Sequence, residues 1–147
     1  MQFFYVRHAD PIYDPDSLTP LGYRQAEAVG RRLARYGIDE LYASTSNRAI
    51  LTATPLSELI KKEIKTLDFA NEKYAWESLT IMAKNPDRKT FLFHSLEARE
   101  AFRSEQCRRL GFEWYLHPQF DGYPCKEGIE RIQRGADEFF ESLGYTL

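Results

Sequence analysis

The sequence contains little cysteine, little histidine and no long apolar run. Its 147 residues include two Cys and three His. Cys107 and Cys125 show neither CxxC spacing nor a neighbouring His cluster, so we expect no zinc site and two reduced thiols, as in a cytoplasmic protein. The first apolar run, residues 3–6, is too short for a signal peptide, and no later run approaches the ~18 residues of a membrane span. These absences predict no metal, no membrane association and a cytoplasmic location.

Charge of one sign is not in excess either. Lys and Arg number 20 against 22 Asp and Glu, a formal net charge of −2. This balance gives no global attraction to nucleic acid, so no nucleic-acid partner is expected. Hydrophobic residues make up 43% and charged residues 29%, which is typical of a globular chain. The length predicts a single domain over residues 1–147.

The first half alternates strand and helix patterns. Residues 3–6 form an apolar run that predicts a central parallel strand buried on both faces. Thr19 and Pro20 are typical of a helix start, and Gly37 of its end. A strand is then predicted over residues 40–43, a helix over 48–62 and a strand over 64–69. This order favours an α/β fold with a mostly parallel central sheet flanked by helices.

The second half is less regular. The patterns predict a helix over residues 76–84, a turn over 85–87 and a strand over 90–93. A charged helix is predicted over residues 96–110, an aromatic loop or lid over 111–125 and a final amphipathic helix over 127–143.

Two segments carry residues suited to chemistry on an anion. Arg7 and His8 end the first predicted strand, and ligands of parallel sheets bind at the carboxyl ends of strands. His8 could act as a nucleophile, a base or a ligand, and Arg7 could hold a phosphate or a carboxylate. Residues 44–47 end the next strand and lead into a helix whose first turn contains Arg48. The helix end and the two arginines predict an anion-binding site.

Three motifs now resemble those of the histidine phosphatase superfamily, which includes the phosphoglycerate mutases. That family begins with a strand followed by Arg-His-Gly, and residues 7–9 read Arg-His-Ala. Its next motif is Leu-Thr-x-x-Gly-x-x-Gln-Ala, and residues 18–26 read Leu-Thr-Pro-Leu-Gly-Tyr-Arg-Gln-Ala. A Ser and an Arg-Ala-x-x-Thr-Ala motif follow, matched by Ser44 and by residues 48–53, Arg-Ala-Ile-Leu-Thr-Ala. The resemblance implies a three-layer α/β sandwich like that of phosphoglycerate mutase.

The resemblance also implies a mechanism. His8 would attack phosphorus as neutral imidazole and form a phosphohistidine, while Arg7 and Arg48 would bind the phosphoryl oxygens. A carboxylic acid would protonate the leaving oxygen. Glu72, in an Asn-Glu-Lys context, is favoured for that role over Glu77, in Trp-Glu-Ser. No metal and no cofactor are implied, because the arginines supply the positive charge.

The chain departs from the family pattern in its first loop. Ala9 replaces the usual Gly and adds a methyl group near the pocket. Asp14 stands where many members have Asn, and an ionised Asp would repel phosphate, whereas Asn can donate to it. Asp14 could instead cap its loop.

The largest departure is a second catalytic His, which the family carries near its carboxyl terminus before a Gly. None of His8, His94 and His117 precedes a Gly. Either the sequence is truncated before that His, or His94 substitutes for it. A truncated sheet would leave unpaired backbone and apolar surface, so dimers or aggregates are expected.

The resemblance implies a phosphatase that hydrolyses a small phosphate monoester. A phosphoglycerate mutase-type phosphoryl transfer and a non-catalytic phospholigand-binding module are the alternatives. Residues 76–125 are expected to form an inserted specificity or lid region.

Overall fold

The computed structural model describes residues 2–84 and 87–146. The described chain divides after Asn71 into two compact units. Within these ranges no helix is both long enough and apolar enough to cross a bilayer. The predicted turn at residues 85–87 includes Asn85 and Pro86, which lie outside the described residues.

The first unit contains a small hairpin, two long helices and one parallel strand pair. In chain order its elements are β1 (Pro11–Ile12), β2 (Ser17–Leu18), α1 (Pro20–Leu33), β3 (Leu41–Ser44), α2 (Asn47–Ile60) and β4 (Ile64–Leu67). β1 and β2 pair antiparallel, and β3 pairs in parallel with β4, with Leu41 opposite Ile64 and Ser44 opposite Leu67.

The amino-terminal segment corrects one prediction, because residues 3–6 do not form a strand. Phe3, Tyr5 and Val6 are 57%, 88% and 44% exposed, so the segment is not buried on both faces. Phe4 packs its ring 5.0 Å from that of Tyr36. A buried central strand needs a hydrogen-bonded neighbour on each side, and in the described part of the chain the only parallel ladder joins β3 to β4. The fold is therefore mixed α/β. The described residues form three two-stranded sheets in place of the predicted, mostly parallel central sheet.

The first long helix of this unit begins as its sequence predicts, and α2 covers Asn47–Ile60 where residues 48–62 were predicted. The Thr19 hydroxyl accepts a hydrogen bond from the Gly22 N–H at 3.0 Å and caps α1, with Pro20 in its first turn. Ala26 of α1 and Leu56 of α2 are buried. After α1 the chain makes one 3-10 turn and reverses at Gly37, whose φ of 66° is a left-handed conformation that favours glycine.

The second unit contains four helices and one hairpin. In chain order these are α3 (Glu72–Ser78), β5 (Thr80–Lys84), β6 (Asp87–Phe91), α4 (Leu96–Arg103), α5 (Glu105–Leu110) and α6 (Cys125–Ser142). β5 and β6 pair antiparallel, with Thr80 opposite Phe91. Short 3-10 segments connect β6 to α4 and follow α5.

Three predictions in this half were wrong in their details. The strand expected over residues 90–93 is β6, which ends at Phe91, and residues 92 and 93 belong to a 3-10 turn. The helix expected over residues 76–84 ends at Ser78, because Thr80 and Ile81 enter a strand that buries both side chains. The helix expected over residues 96–110 is two helices. Ser104 ends the first and caps the second by accepting the Cys107 N–H at 3.0 Å.

The core of the second unit is aromatic and contains both cysteines. The rings of Phe102, Trp114 and Phe120 have centroids 5.0 to 5.1 Å apart. Cys107 and Cys125 are buried free thiols beside them. Burial raises the pKa of both thiols, with Glu127 adding to the effect at Cys125, so the nucleophilic thiolate is disfavoured.

Close packing of α3 against α6 generates a first prediction. A Cβ atom on Gly128 would lie 2.4 Å from the Cβ atom of Ser78. Gly128→Ala should therefore lower the free energy of unfolding by about 1–3 kcal/mol, although alanine is the better helix former. Chemical denaturation of the wild type and the variant measures the difference. Ser78→Gly removes the opposing Cβ, so it should restore part of the loss in the double variant. Equal stability of the wild type and Gly128→Ala would contradict this packing.

Candidate active site

The site is built around residues 8–10, which α1 holds through Asp10. The Thr19 N–H donates to the Asp10 carbonyl oxygen at 3.0 Å, and the Thr19 hydroxyl donates to the Asp10 carboxylate at 2.6 Å. The Asp10 N–H donates to Oε1 of Gln25 at 2.8 Å. Gly22 lies beneath the same carbonyl. The Leu-Thr-x-x-Gly-x-x-Gln-Ala motif therefore fixes the backbone two residues after His8.

Helix α2 holds the same segment through Thr52. The Ala9 N–H donates to Oγ1 of Thr52 at 3.0 Å. The Thr52 hydroxyl in turn donates to the Arg48 carbonyl oxygen at 2.7 Å. Because Thr52 follows Arg48 by one helical turn, the Arg-Ala-x-x-Thr-Ala motif connects the residue after His8 to the backbone of Arg48.

His8 has a defined ring orientation. Its Nδ1 donates to the Ala9 carbonyl oxygen at 2.8 Å, and since a carbonyl can only accept, Nδ1 must carry a proton. In the neutral imidazole the lone pair is then on Nε2, an atom that is buried. The Tyr13 ring lies edge-on to His8, with centroids 6.4 Å apart. This is the tautomer in which Nε2 can act as a nucleophile.

Arg48, in the first turn of α2, is largely buried. Its side chain is only 10% exposed. Cζ of Arg48 lies 5.2 Å from the centre of the Tyr13 ring, so the same tyrosine contacts both His8 and Arg48. Tyr13 is therefore a common neighbour of two residues that the sequence predicts for phosphate chemistry.

Asp16 lies at the start of α2, where an anion was predicted to bind. Its carboxylate accepts from the Asn47 N–H at 2.7 Å, from the Arg48 N–H at 3.3 Å and from Nη1 of Arg48 at 2.7 Å. The Asn47 side chain donates to the Asp16 carbonyl oxygen at 2.7 Å. The helix end and Arg48 therefore already bind a carboxylate of the chain itself.

The contacts of Asp16 stabilise its ionised form. Burial acts to raise the pKa of this carboxyl group. The hydrogen bonds from the Arg48 side chain and from the two backbone N–H groups, together with the arginine charge, outweigh burial and lower the pKa below its ordinary value.

The other predicted site residues are more scattered. Arg7 is exposed. Asp14 is exposed within the tip of the β1–β2 hairpin. Glu72, Glu77 and His94 belong to the second unit. Glu72 begins α3 and is half-buried, Glu77 is exposed on the same helix, and His94 is exposed with its ring 6.0 Å from that of Phe91. Their catalytic roles stay predictions.

Tyr13 and Asp16 are site residues that the sequence did not single out. Both lie at the hairpin tip, in a stretch with three Asp and two Pro that predicts only a loop. Nothing in that pattern distinguishes Asp16 from Asp10 or Asp14, because its role depends on a helix more than thirty positions along the chain.

The approach of α1 to Asp10 generates a prediction. A Cβ on Gly22 would lie 2.3 Å from the Asp10 carbonyl oxygen. Gly22→Ala should displace residues 8–10 and lower the free energy of unfolding by about 1–3 kcal/mol. Thermal unfolding measures the loss, and Arg24→Ala, on the exposed face of the same turn, is the control. A Gly22→Ala protein as stable as the control would refute the close approach.

The ionised form of Asp16 generates a prediction about acid stability. Because its folded-state pKa lies below the ordinary value of 3.8, Asp16 stabilises the fold above that pH. The stabilisation is lost as pH falls through the lower, folded-state pKa. Asp16→Asn should therefore be less stable than wild type at pH 7 by about 1 kcal/mol, after allowance for screening.

Denaturation across the acid range tests this dependence on pH. The stability difference between wild type and Asp16→Asn should be constant near neutrality and shrink below about pH 4. Glu27→Gln removes one carboxylate from an exposed pair on α1 and serves as the charge control. A difference that does not change with pH would show that the charge of Asp16 does not stabilise the fold.

Comparison with known proteins identifies the family of this chain. The sequence profile of the histidine phosphatase superfamily (branch 1) matches residues 6–110, which include Arg7, His8, Arg48 and Glu72. The chain is also similar to a protein of Hydrogenobacter thermophilus (strain DSM 6534 / IAM 12695 / TK-6) named "Putative phosphoserine phosphatase 2". The two are 23% identical over 151 aligned positions, which cover 97% of this chain and 66% of that protein. This chain therefore spans just under two thirds of that relative's length. The profile match extends over more than half of the chain, and the chain belongs to the histidine phosphatase superfamily.

Proposed function

We propose that this chain is a phosphatase that hydrolyses a small phosphate monoester through a phosphohistidine on His8. The observation that carries the proposal is the hydrogen bond from Nδ1 of His8 to the Ala9 carbonyl oxygen. Of the two neutral tautomers it selects the one with the lone pair on Nε2, and Tyr13 joins this ring to an arginine that is positively charged at every relevant pH. A fixed, neutral imidazole next to a cation is what attack on a phosphoryl group requires.

In the first step Nε2 of His8 attacks phosphorus, and the bond from phosphorus to the ester oxygen breaks. A carboxylic acid, for which we propose Glu72, gives its proton to the leaving alcohol. In the second step the Glu72 carboxylate takes a proton from water. The water oxygen bonds to phosphorus, the bond to Nε2 breaks, and inorganic phosphate leaves. Arg48 and Arg7 would offset the charge on the phosphoryl oxygens in both steps.

The substrate class is proposed from the similarity and from the site. The name of the Hydrogenobacter protein makes O-phosphoserine the first substrate to assay. The Tyr13 ring next to His8 and Arg48 would form one wall of the site. Residues 76–125, proposed as the specificity region, belong to the second unit.

Two other functions use the same residues. Phosphoryl transfer of the phosphoglycerate mutase type would return the phosphoryl group from His8 to a second acceptor rather than to water. A non-catalytic module would bind phosphorylated ligands through Arg48 without turnover. The exposure of Arg7 favours this second alternative, because one of the two proposed arginines is not held in the site.

Hydrolysis of an aryl phosphate and of O-phosphoserine by the wild type and by His8→Ala tests the proposal. Removing the nucleophile should lower kcat by about a thousandfold or more. His117→Asn is the matched control, because its amide oxygen can still accept the Gln119 N–H that Nδ1 of His117 now accepts. His94→Ala tests whether His94 contributes.

The outcomes separate the three functions. Turnover that depends on His8, with release of inorganic phosphate, supports the phosphatase. A His8-dependent exchange that requires a second phosphate acceptor supports the mutase. Phosphate that raises the Tm without any His8-dependent turnover supports the binding module. Activity that survives in His8→Ala contradicts the proposed nucleophile.

A further inference from the structure

We propose that Tyr13 and Asp16 are positioning residues that hold the Arg48 guanidinium in one plane beside His8. The inference rests on the proposed function, in which Arg48 binds the phosphoryl group. The Arg48 guanidinium lies over the Tyr13 ring, with 5.2 Å between Cζ and the ring centre. Asp16 contacts its Nη1 atom, with 2.7 Å from Oδ1 to Nη1. A planar group in contact with two side chains has less freedom to rotate about its long axis.

Asp16, one of the two residues that hold Arg48, is itself anchored. Asp16 accepts from two backbone N–H groups at the start of α2, and its own carbonyl oxygen accepts from the side chain of Asn47. These bonds fix the hairpin tip to the helix that carries Arg48. The carboxylate position therefore does not depend on the arginine alone. Tyr13 and Asp16 enclose the short tip between β1 and β2.

Burial explains why such a support is needed. The Arg48 side chain is 10% exposed, and an arginine withdrawn from water requires a paired anion or comparable hydrogen bonds. Asp16 supplies that anion inside the protein. Without this anion, the guanidinium would lower the free-energy cost of its burial by turning towards solvent, and this would move it away from His8.

A competing interpretation of the same contacts predicts the opposite effect of Asp16 on phosphate binding. The Asp16 carboxylate could occupy the place of the substrate phosphate, so that removing its charge would improve phosphate binding. The contacts favour positioning, because Tyr13 also holds the guanidinium and links it to the His8 ring. A competing anion would need no such second contact.

Steady-state hydrolysis of an aryl phosphate distinguishes positioning of Arg48 from competition by the Asp16 carboxylate. Asp16→Asn should lower kcat by about tenfold with a smaller change in KM, because a mobile arginine loses its contribution mainly in the transition state. Tyr13→Leu should lower kcat by about threefold, and Tyr13→Phe, which keeps the ring face, should stay near wild type. The charge control Glu27→Gln should not change either constant.

A second set of variants combines each of these substitutions with Arg48→Ala. If Tyr13 and Asp16 act through Arg48, neither should lower kcat by more than about twofold there. Losses that persist in this background would show that they act on the fold and would overturn the proposal. Tighter binding of inorganic phosphate by Asp16→Asn than by the wild type would also overturn it, in favour of the competing anion.

A measurement without turnover separates this proposal from the proposed function. The NMR signals of the Arg48 guanidinium, assigned by their loss in Arg48→Lys, report rotation about its Nε–Cζ bond. Rotation should be slow in the wild type and fast in Asp16→Asn. Equal rotation in both would refute positioning even if His8-dependent hydrolysis is found. The wild type could also show slow rotation but neither hydrolyse phosphate esters nor bind phosphate. That result would show that Arg48 is held, but it would refute the proposed function and, with it, a role of Tyr13 and Asp16 in catalysis.

Discussion

The arrangement of the site depends on a few hydrogen bonds from two helices to the backbone of residues 8–10. Thr19 and Gln25 of the α1 region hold Asp10, and Thr52 of α2 holds Ala9. Backbone polar groups must be satisfied somewhere, and here side chains satisfy them outside any sheet. As a result, the histidine is placed by helices, although the segment before it is exposed and is not a strand.

This network explains why the motif residues occur at their particular spacings. In α1, Thr19, Gly22 and Gln25 are three residues apart, which places them on one face beneath Asp10. In α2, Arg48 and Thr52 are four apart, so the hydroxyl that accepts from Ala9 can donate to the Arg48 carbonyl oxygen. Each motif therefore combines a residue proposed for chemistry with one that positions it.

The sequence predicts the parts of the molecule that depend on local patterns. Thr19 and Pro20 identify the start of α1, and the strand expected over residues 40–43 is β3, shifted by one residue. Predictions fail where contacts between residues distant in sequence determine the structure. The apolar run at residues 3–6 has the composition of a buried strand, but burial requires paired neighbours that composition cannot supply. Asp16 was missed for the same reason, because its partners Asn47 and Arg48 are distant in sequence.

The central claim is that the Ala9 carbonyl fixes His8 as the tautomer whose lone pair is on Nε2. Nitrogen NMR of the His8 ring, in uniformly labelled protein with His8→Ala as the assignment control, measures this directly. In the neutral ring we expect a protonated Nδ1 and an unprotonated Nε2, with Nε2 as the ring nitrogen that shifts most when inorganic phosphate is added. A proton on Nε2 of the neutral ring would contradict the account, because His8 could not then attack phosphorus as it is held.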